Sequence, residues 1–209
     1  MRIPKAIQSV IESFGRLPGV GPKSAQRLTF YLLHVPQHEL DRFAFSLQNL
    51  KSNTKICNIC FSVDESDPCS ICTDTHRDKS LIMVVEQPLD VFAFERSNKY
   101  KGVYHVLHGK IDPLNNIGPE EIYISQLIQR VKGLEDRVQE IILATNPTME
   151  GDATAMYIAK QLKAKNENLP ADDAGLKITR IGRGLPIGAD IEYADSGTLE
   201  RAMESRSSY

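Results

Sequence analysis

Ile141-Ile142-Leu143-Ala144 runs directly into Thr145-Asn146-Pro147-Thr148-Met149-Glu150-Gly151-Asp152. Four consecutive apolar residues are too few for a helix and fit a buried strand. The Asn-Pro pair breaks that strand, and a helical spacing of apolar residues follows over 152–165. The same strand-then-helix texture occurs earlier, with Leu81–Val85 read as a strand before a helix at 88–96. Val103–Leu107 then reads as a strand before a helix at 119–131, and Lys177–Ile181 as a fourth strand. Strands alternating with helices predict a parallel α/β sheet. In such a sheet Glu86 and the turn after Ala144 both emerge at the carboxyl edge, where ligands bind. Residues 166–175 read as a polar loop, and 196–206 as a last helix capped by Ser196.

The N-terminal quarter has a different texture. Apolar residues at helical spacing predict a helix over 3–14, and Leu17-Pro18-Gly19-Val20-Gly21-Pro22 follows as a sharp turn. Pro22 suits the first position of a second helix reaching about Val35, and Pro36 opens a third carrying Leu40, Phe43, Ala44, Leu47 and Leu50. Gly19 and Gly21 permit positive φ and leave no side chain in the way of an approaching backbone. Amide N–H groups in such a turn, with the positive end of the next helix, make an anion site. Lys23 sits in the first turn of that helix and Arg27 one turn on. This helix–hairpin–helix pattern points to contact with a DNA backbone, with Arg2, Lys5 and Arg16 able to extend it. The alternative is a helical hairpin that uses glycine merely to turn.

Charge is distributed in the same sense. Residues 1–55 carry eight Lys/Arg against three acids, a net +5, whereas residues 56–80 carry -3 and residues 81–209 carry -4. A local positive stripe in a chain of net charge -2 is the footprint expected where phosphates dock. Across all 209 residues, 41% are hydrophobic and 25% charged, which excludes a wholly disordered chain. No apolar run is long enough to span a bilayer, and no secretory signal pattern opens the chain, so a cytoplasmic protein is expected. With no Trp and 7% aromatic residues, a large aromatic-lined pocket is not expected.

All four cysteines fall in one short segment, Cys57-x2-Cys60-x8-Cys69-x2-Cys72. Two such knuckles offer four thiolates in a tetrahedron, a closed set that suits structural rather than catalytic zinc. The segment has little apolar content of its own, so the metal would supply its folding energy. Paired disulfides are the alternative, disfavoured in a reducing compartment. His76 is near enough to ligate but four cysteines leave it no vacancy; Asp64, Glu65 and Asp67 are expected to be solvated.

Glu86 and the 145–152 turn look like a Toprim domain, the module of topoisomerases and primases. In that module a Glu after the first strand serves acid–base chemistry and an Asp-x-Asp holds magnesium. The matching positions here are the neutral Asn146 and Thr148, which leaves Glu86, Glu150 and Asp152 as a weakened metal set. With the glycine-acid turn also present, Glu86 reads equally as a site group or a surface carboxylate. Gly182–Gly188 reads as a plain turn, His105 and His108 receive no role, and Phe92 and Phe94 read as core.

Hairpin, four-cysteine knuckle, Toprim-like sheet and C-terminal segment, in that order, resemble the RecR family of bacterial recombination proteins. The resemblance rests on residues 17–28, the four cysteines, 84–88, 143–155 and 179–199, and covers nearly the whole chain. It implies a helix–hairpin–helix domain at 1–53, a zinc finger at 54–79, a Toprim domain at 80–175 and a C-terminal oligomerisation segment at 176–209. It further implies a non-enzymatic mediator that acts with RecO and RecF to load RecA on DNA, as a homodimer or ring-like homotetramer. In it Gly19, Gly21, Lys23 and Arg27 would face DNA. Cys57, Cys60, Cys69 and Cys72 would hold zinc. Glu86, Asn146, Glu150 and Asp152 would form a Toprim surface for a partner or a weakly bound metal. The rival readings are a magnesium-dependent Toprim nuclease or topoisomerase, and a protein-interaction scaffold without DNA affinity.

Overall fold

The computed structural model describes residues 3–133, 138–163, 176–182 and 184–206. Arg2, the loop 166–175, Arg183 and the last two residues expected in the helix 152–165 lie outside them. Two compact units divide the chain, Met1–Asn53 and Thr54–Tyr209.

The first unit holds α1 (Lys5–Gly15), α2 (Pro22–Leu32) and α3 (Gln37–Asn49). Pro22 opens α2 at a position where a missing N–H costs nothing. Among its described residues only Ala25 and Thr29 are fully buried, and Thr29 Oγ1 donates to the Ala25 carbonyl at 2.9 Å. α1 and α3 bury no residue completely. Phe43 and Leu47 on one face of α3, and Leu50 at its C-cap, are exposed, as are Phe30 and Leu33. Helical periodicity therefore marks apolar faces here that a single chain leaves open to solvent.

The second unit begins with an antiparallel hairpin of β1 (Lys55–Ile56) and β2 (Val63–Asp64), followed by α4 (Ser70–Thr73). Next come β3 (Asp78–Val85), α5 (Pro88–Glu95), β4 (Gly102–Val106), α6 (Ile124–Lys132), β5 (Glu140–Leu143), α7 (Met149–Lys163), β6 (Lys177–Arg180) and α8 (Ser196–Glu204). The four long strands form a sheet in the order β4-β3-β5-β6, every neighbouring pair parallel. Side chains alternate between its faces. Ile82, Val84, Ile141 and Leu143 pack with Leu127, Ile128 and Val131 of α6 and Ala155, Ile158 and Leu162 of α7. Met83, Val85, Tyr104, Val106 and Ala144 pack with Val91 of α5.

The structure departs from the sequence expectations at several places, among them the following. α6 starts at Ile124 rather than 119, because the Tyr123 N–H is drawn to the Leu107 carbonyl at 3.0 Å and holds the preceding residues against the sheet. α7 starts at Met149, directly after the Asn146-Pro147-Thr148 turn. Asp195, not Ser196, caps α8: its carboxylate accepts from the Thr198 N–H at 2.9 Å and hydroxyl at 2.6 Å. Phe94 packs in the second cluster, but Phe92 is half exposed.

The cysteine segment is docked on the edge strand β4. The Val106 N–H donates to the Cys60 carbonyl at 2.8 Å, and His108 Nε2 lies 2.6 Å from the Phe61 carbonyl. Phe61, at φ 61°, stacks on Tyr123 with ring centroids 4.3 Å apart and meets His105 edge-on at 5.3 Å. His105 is fully buried, with Nε2 2.8 Å from the Tyr123 carbonyl and Nδ1 unpartnered. Burial pulls its pKa down to about 3. The unfolded chain takes up that proton near pH 6.5, so the stability this imidazole contributes is complete above that pH and is lost as pH falls toward 3. From pH 7 to pH 5 the loss from this one residue is about 2 kcal/mol. Urea melts at the two pH values should show a loss smaller by that amount in His105→Gln. An unchanged pH dependence in the variant contradicts the assignment.

Candidate nucleic-acid hairpin, metal centre and carboxylate cleft

The turn between α1 and α2 is built by consecutive backbone bonds: Leu17 N–H to the Phe14 carbonyl at 3.0 Å, and Val20 N–H to the Leu17 carbonyl at 3.1 Å. Gly19 lies at φ +78°, so glycine is required there. Gly21, at φ −78°, is in an ordinary region, contrary to the positive φ allowed for it in the sequence reading. What both positions share is open space: a Cβ at either would meet no atom within 4 Å. Gly21 is the N-cap of α2, and the Ala25 N–H closes the first helical bond to its carbonyl at 2.9 Å. As at any helix start, the first-turn N–H groups of Lys23 and Ser24 have no intrahelical acceptor, and such groups suit an anion. Lys23 and Arg27 are exposed one turn apart on α2, and Arg16 and Lys5 are exposed on the preceding segment.

In the cysteine segment the four thiol sulfurs lie within 4.8 Å of one another and all four residues are buried. The spacing fits a tetrahedron of thiolates around one ion with bonds of about 2.3 Å. Backbone donors already point at the sulfurs: Ile59 and Cys69 N–H at Cys57 Sγ (both 3.4 Å), Ser62 N–H at Cys60 Sγ (3.5 Å) and Cys72 N–H at Cys69 Sγ (3.4 Å). Such bonds stabilise sulfur that carries negative charge. The Cys60 and Cys69 sulfurs lie 3.5 Å apart and share a proton, a contact that pushes the Cys60 thiol up and pulls Cys69 far below the usual thiol range. A soft dication resolves that conflict by taking the place of the shared protons. The nearby acids are not simply solvated as expected. Asp64 accepts from the Ser70 N–H at 2.7 Å and hydroxyl at 2.8 Å, which holds its carboxyl below the usual range. Asp67 accepts from the Asn58 N–H at 2.8 Å. Both brace the loop. His76 is not part of the cluster.

At the carboxyl edge of the sheet the structure brings Glu86, Asn146, Glu150 and Asp152 into one neighbourhood. Glu86 is 5% exposed, so it is not a surface carboxylate. Its two oxygens accept from the Asn146 backbone N–H and side-chain Nδ2, each at 2.8 Å. The residue at the place of a metal-binding aspartate thus offers donors to the glutamate instead of a carboxylate to a cation. Glu150 pairs with Lys110 at 3.1 Å, and its own backbone N–H together with Lys110 holds its carboxyl below the usual range. Asp152 pairs with Arg180 of β6 at 3.1 Å and Arg201 of α8 at 3.5 Å. Among the described residues the cysteines are the one metal-competent group of three or more His, Cys, Asp or Glu side chains. Asn146, Pro147, Thr148 and Met149 form an exposed tip above this network. Lys110, Arg180 and Arg201 were missed from the sequence, since each lies far from the acid it meets.

Comparison with known proteins follows the same order along the chain. Residues 7–51 match the helix-hairpin-helix domain of RecR, and residues 54–74 its four-cysteine zinc finger domain. Residues 80–181 match a Toprim domain, and residues 184–207 the RecR C-terminal segment. Recombination protein RecR of Lactobacillus johnsonii is 49% identical over 206 residues, which cover 99% of this chain and 98% of that one. Fold and sites define a multidomain Toprim protein with a structural zinc finger and a helix–hairpin–helix module. The chain belongs to the RecR family. Among the described residues no helix is long and apolar enough to cross a membrane.

Proposed function

We propose that the chain is a non-enzymatic mediator of recombinational DNA repair that grips the DNA backbone through Gly19, Gly21, Lys23 and Arg27. The observation that carries this reading is the exposed glycine turn with two cations on the first turns of α2. The relative named as a recombination protein supports the process. The partners proposed with it are RecO and RecF, with RecA loading on gapped or single-stranded DNA as the outcome, in the cytoplasm at the nucleoid. The exposed tip at Asn146–Met149 is the part of the Toprim domain offered to such a partner.

One hairpin makes few phosphate contacts, and each adds a single salt-sensitive increment of affinity. Several copies facing one DNA turn weak contacts into useful ones. The open apolar stripe of α3 and the unburied face of α1 supply a reason for self-association into a homodimer or homotetramer. The enzyme reading is disfavoured by chemistry: Glu86, Glu150 and Asp152 are each engaged by the chain's own donors or cations.

A gel-shift titration of gapped DNA with magnesium present tests the proposal, each sample being rerun on a denaturing gel. Wild type should shift the DNA with strands intact, and Lys23→Ala/Arg27→Ala should bind about ten-fold or more weakly. Magnesium-dependent cutting abolished by Glu86→Ala would move the assignment to a Toprim nuclease. Equal binding by variant and wild type would remove the hairpin from the interface.

A further inference from the structure

The two guanidinium groups at Asp152 come from different parts of the fold and are held differently. Arg180 lies on β6, and its side chain is 18% exposed. It also donates to the Leu143 carbonyl at 2.8 Å and the Asn146 carbonyl at 3.3 Å. Arg201 lies on α8, is 39% exposed, and reaches Asp152 and the Pro147 carbonyl at 3.5 Å each. The helix that carries it buries no residue completely. Beside it, a cleft of about 380 Å³ is walled by Phe94, Ala144, Asn146 and Ile181 on the sheet side and by Thr198 and Arg201 on the α8 side. The backbone approaches α8 at Gly184, where a Cβ would stand 3.3 Å from Ala202 Cα.

We propose that Arg201 is a latch: its contacts with Asp152 and Pro147 hold α8 over the cleft at the carboxyl edge of the sheet, while Arg180 holds the turn whether or not α8 is in place. Both guanidiniums meet one carboxylate, Asp152, while Glu86 is held by Asn146 and Glu150 by Lys110. When Arg201 leaves, Asp152 keeps the better-buried partner, and Asn146 keeps both bonds to Glu86. The turn therefore persists while the cleft opens. A partly exposed ion pair at 3.5 Å is the part that salt screens first. A nine-residue helix has little stability of its own, so protection of its amides reports docking. The latch is independent of whether the hairpin binds DNA, because it lies wholly in the second unit.

Hydrogen exchange on the full-length zinc-loaded protein tests it, comparing wild type with Arg201→Ala, Arg201→Lys and Asp152→Asn. Amides of 199–205 should exchange about ten-fold faster in Arg201→Ala, whereas those of Asn146 and Asp152 change less than about two-fold. Alanine is the better helix former, so faster exchange in that variant reports lost docking rather than lost propensity. Asp152→Asn should loosen α8 without altering α8 itself, and Arg201→Lys should restore part of the protection. High salt should loosen α8 in wild type and add little in Arg201→Ala. Unchanged α8 exchange in Arg201→Ala overturns the latch. Joint opening of α8 and the Asn146–Asp152 turn in Arg201→Ala overturns the separate role of Arg180.

Discussion

Cys69→Ser should cost the protein its bound zinc and the ordered structure of residues 54–74. Cys69 contributes one of the four clustered sulfurs, and its side chain also caps α4 by accepting from the Cys72 N–H. The segment's own buried cluster consists of the four cysteines, with Ile71 packed against them. Structural zinc supplies about 10–16 kcal/mol in sites of this kind, far more than two-residue strands and a single-turn helix provide. The parallel sheet has its own clusters on both faces and should stay folded. The effect reaches the sheet at one edge, where Phe61 stacks on Tyr123 and the Cys60 carbonyl accepts from Val106. Metal analysis should find the zinc lost, and limited proteolysis should cut within 54–74 and leave a resistant fragment beginning near Asp78. A variant that keeps one zinc per chain and resists protease there would contradict this account of the knuckle.

Gly151→Ala should destabilise the second unit by about 3 kcal/mol, a fall in Tm of about 6–12 °C. A Cβ at this position would collide with the Asn146 carbonyl oxygen and stand 2.8 Å from Glu86 Oε1. The first of these is backbone at the head of the turn, so it cannot swing aside as a flexible side chain would. The turn must move, and it carries both donors that hydrogen-bond the buried Glu86. The Thr145 hydroxyl, which donates to the Gly151 carbonyl at 2.6 Å, moves with it. Glu86 then remains as a carboxylate in a buried place with poor partners, the costly case for a charge. Thermal unfolding followed by circular dichroism checks this; a Tm within about 1 °C of wild type would show that the turn relaxes freely.

Much of this architecture can be read in the amino-acid order because its causes are local. Short apolar runs between turn residues give the strands, Pro22 opens α2, and the spacing of the four cysteines gives the knuckle. What was not legible depends on contacts between distant residues. The start of α6 is set by a bond from Tyr123 to Leu107, which no local signal announces. Glu86 follows a strand as a surface acid would, and only its two bonds from Asn146 show that it is buried and satisfied. Arg180 and Arg201 have no local mark that pairs them with Asp152. The periodicity of α3 shows an apolar face but not what covers it. The glycines divide in the same way: Gly19 is needed for its φ, Gly151 for a close approach that its sequence does not reveal, and Gly21 for the open space before it.

The central claim, that the hairpin holds DNA by its phosphates, is tested most directly by the salt dependence of binding to gapped DNA. Fluorescence anisotropy would follow wild type and Lys23→Ala/Arg27→Ala from low to physiological salt. Log K should fall linearly with log salt in wild type. Removing two phosphate-directed cations should flatten the slope by about 1.8 for each hairpin engaged, with the affinity loss independent of sequence. A variant that binds with the wild-type slope, or a wild type whose affinity ignores salt, would contradict the claim.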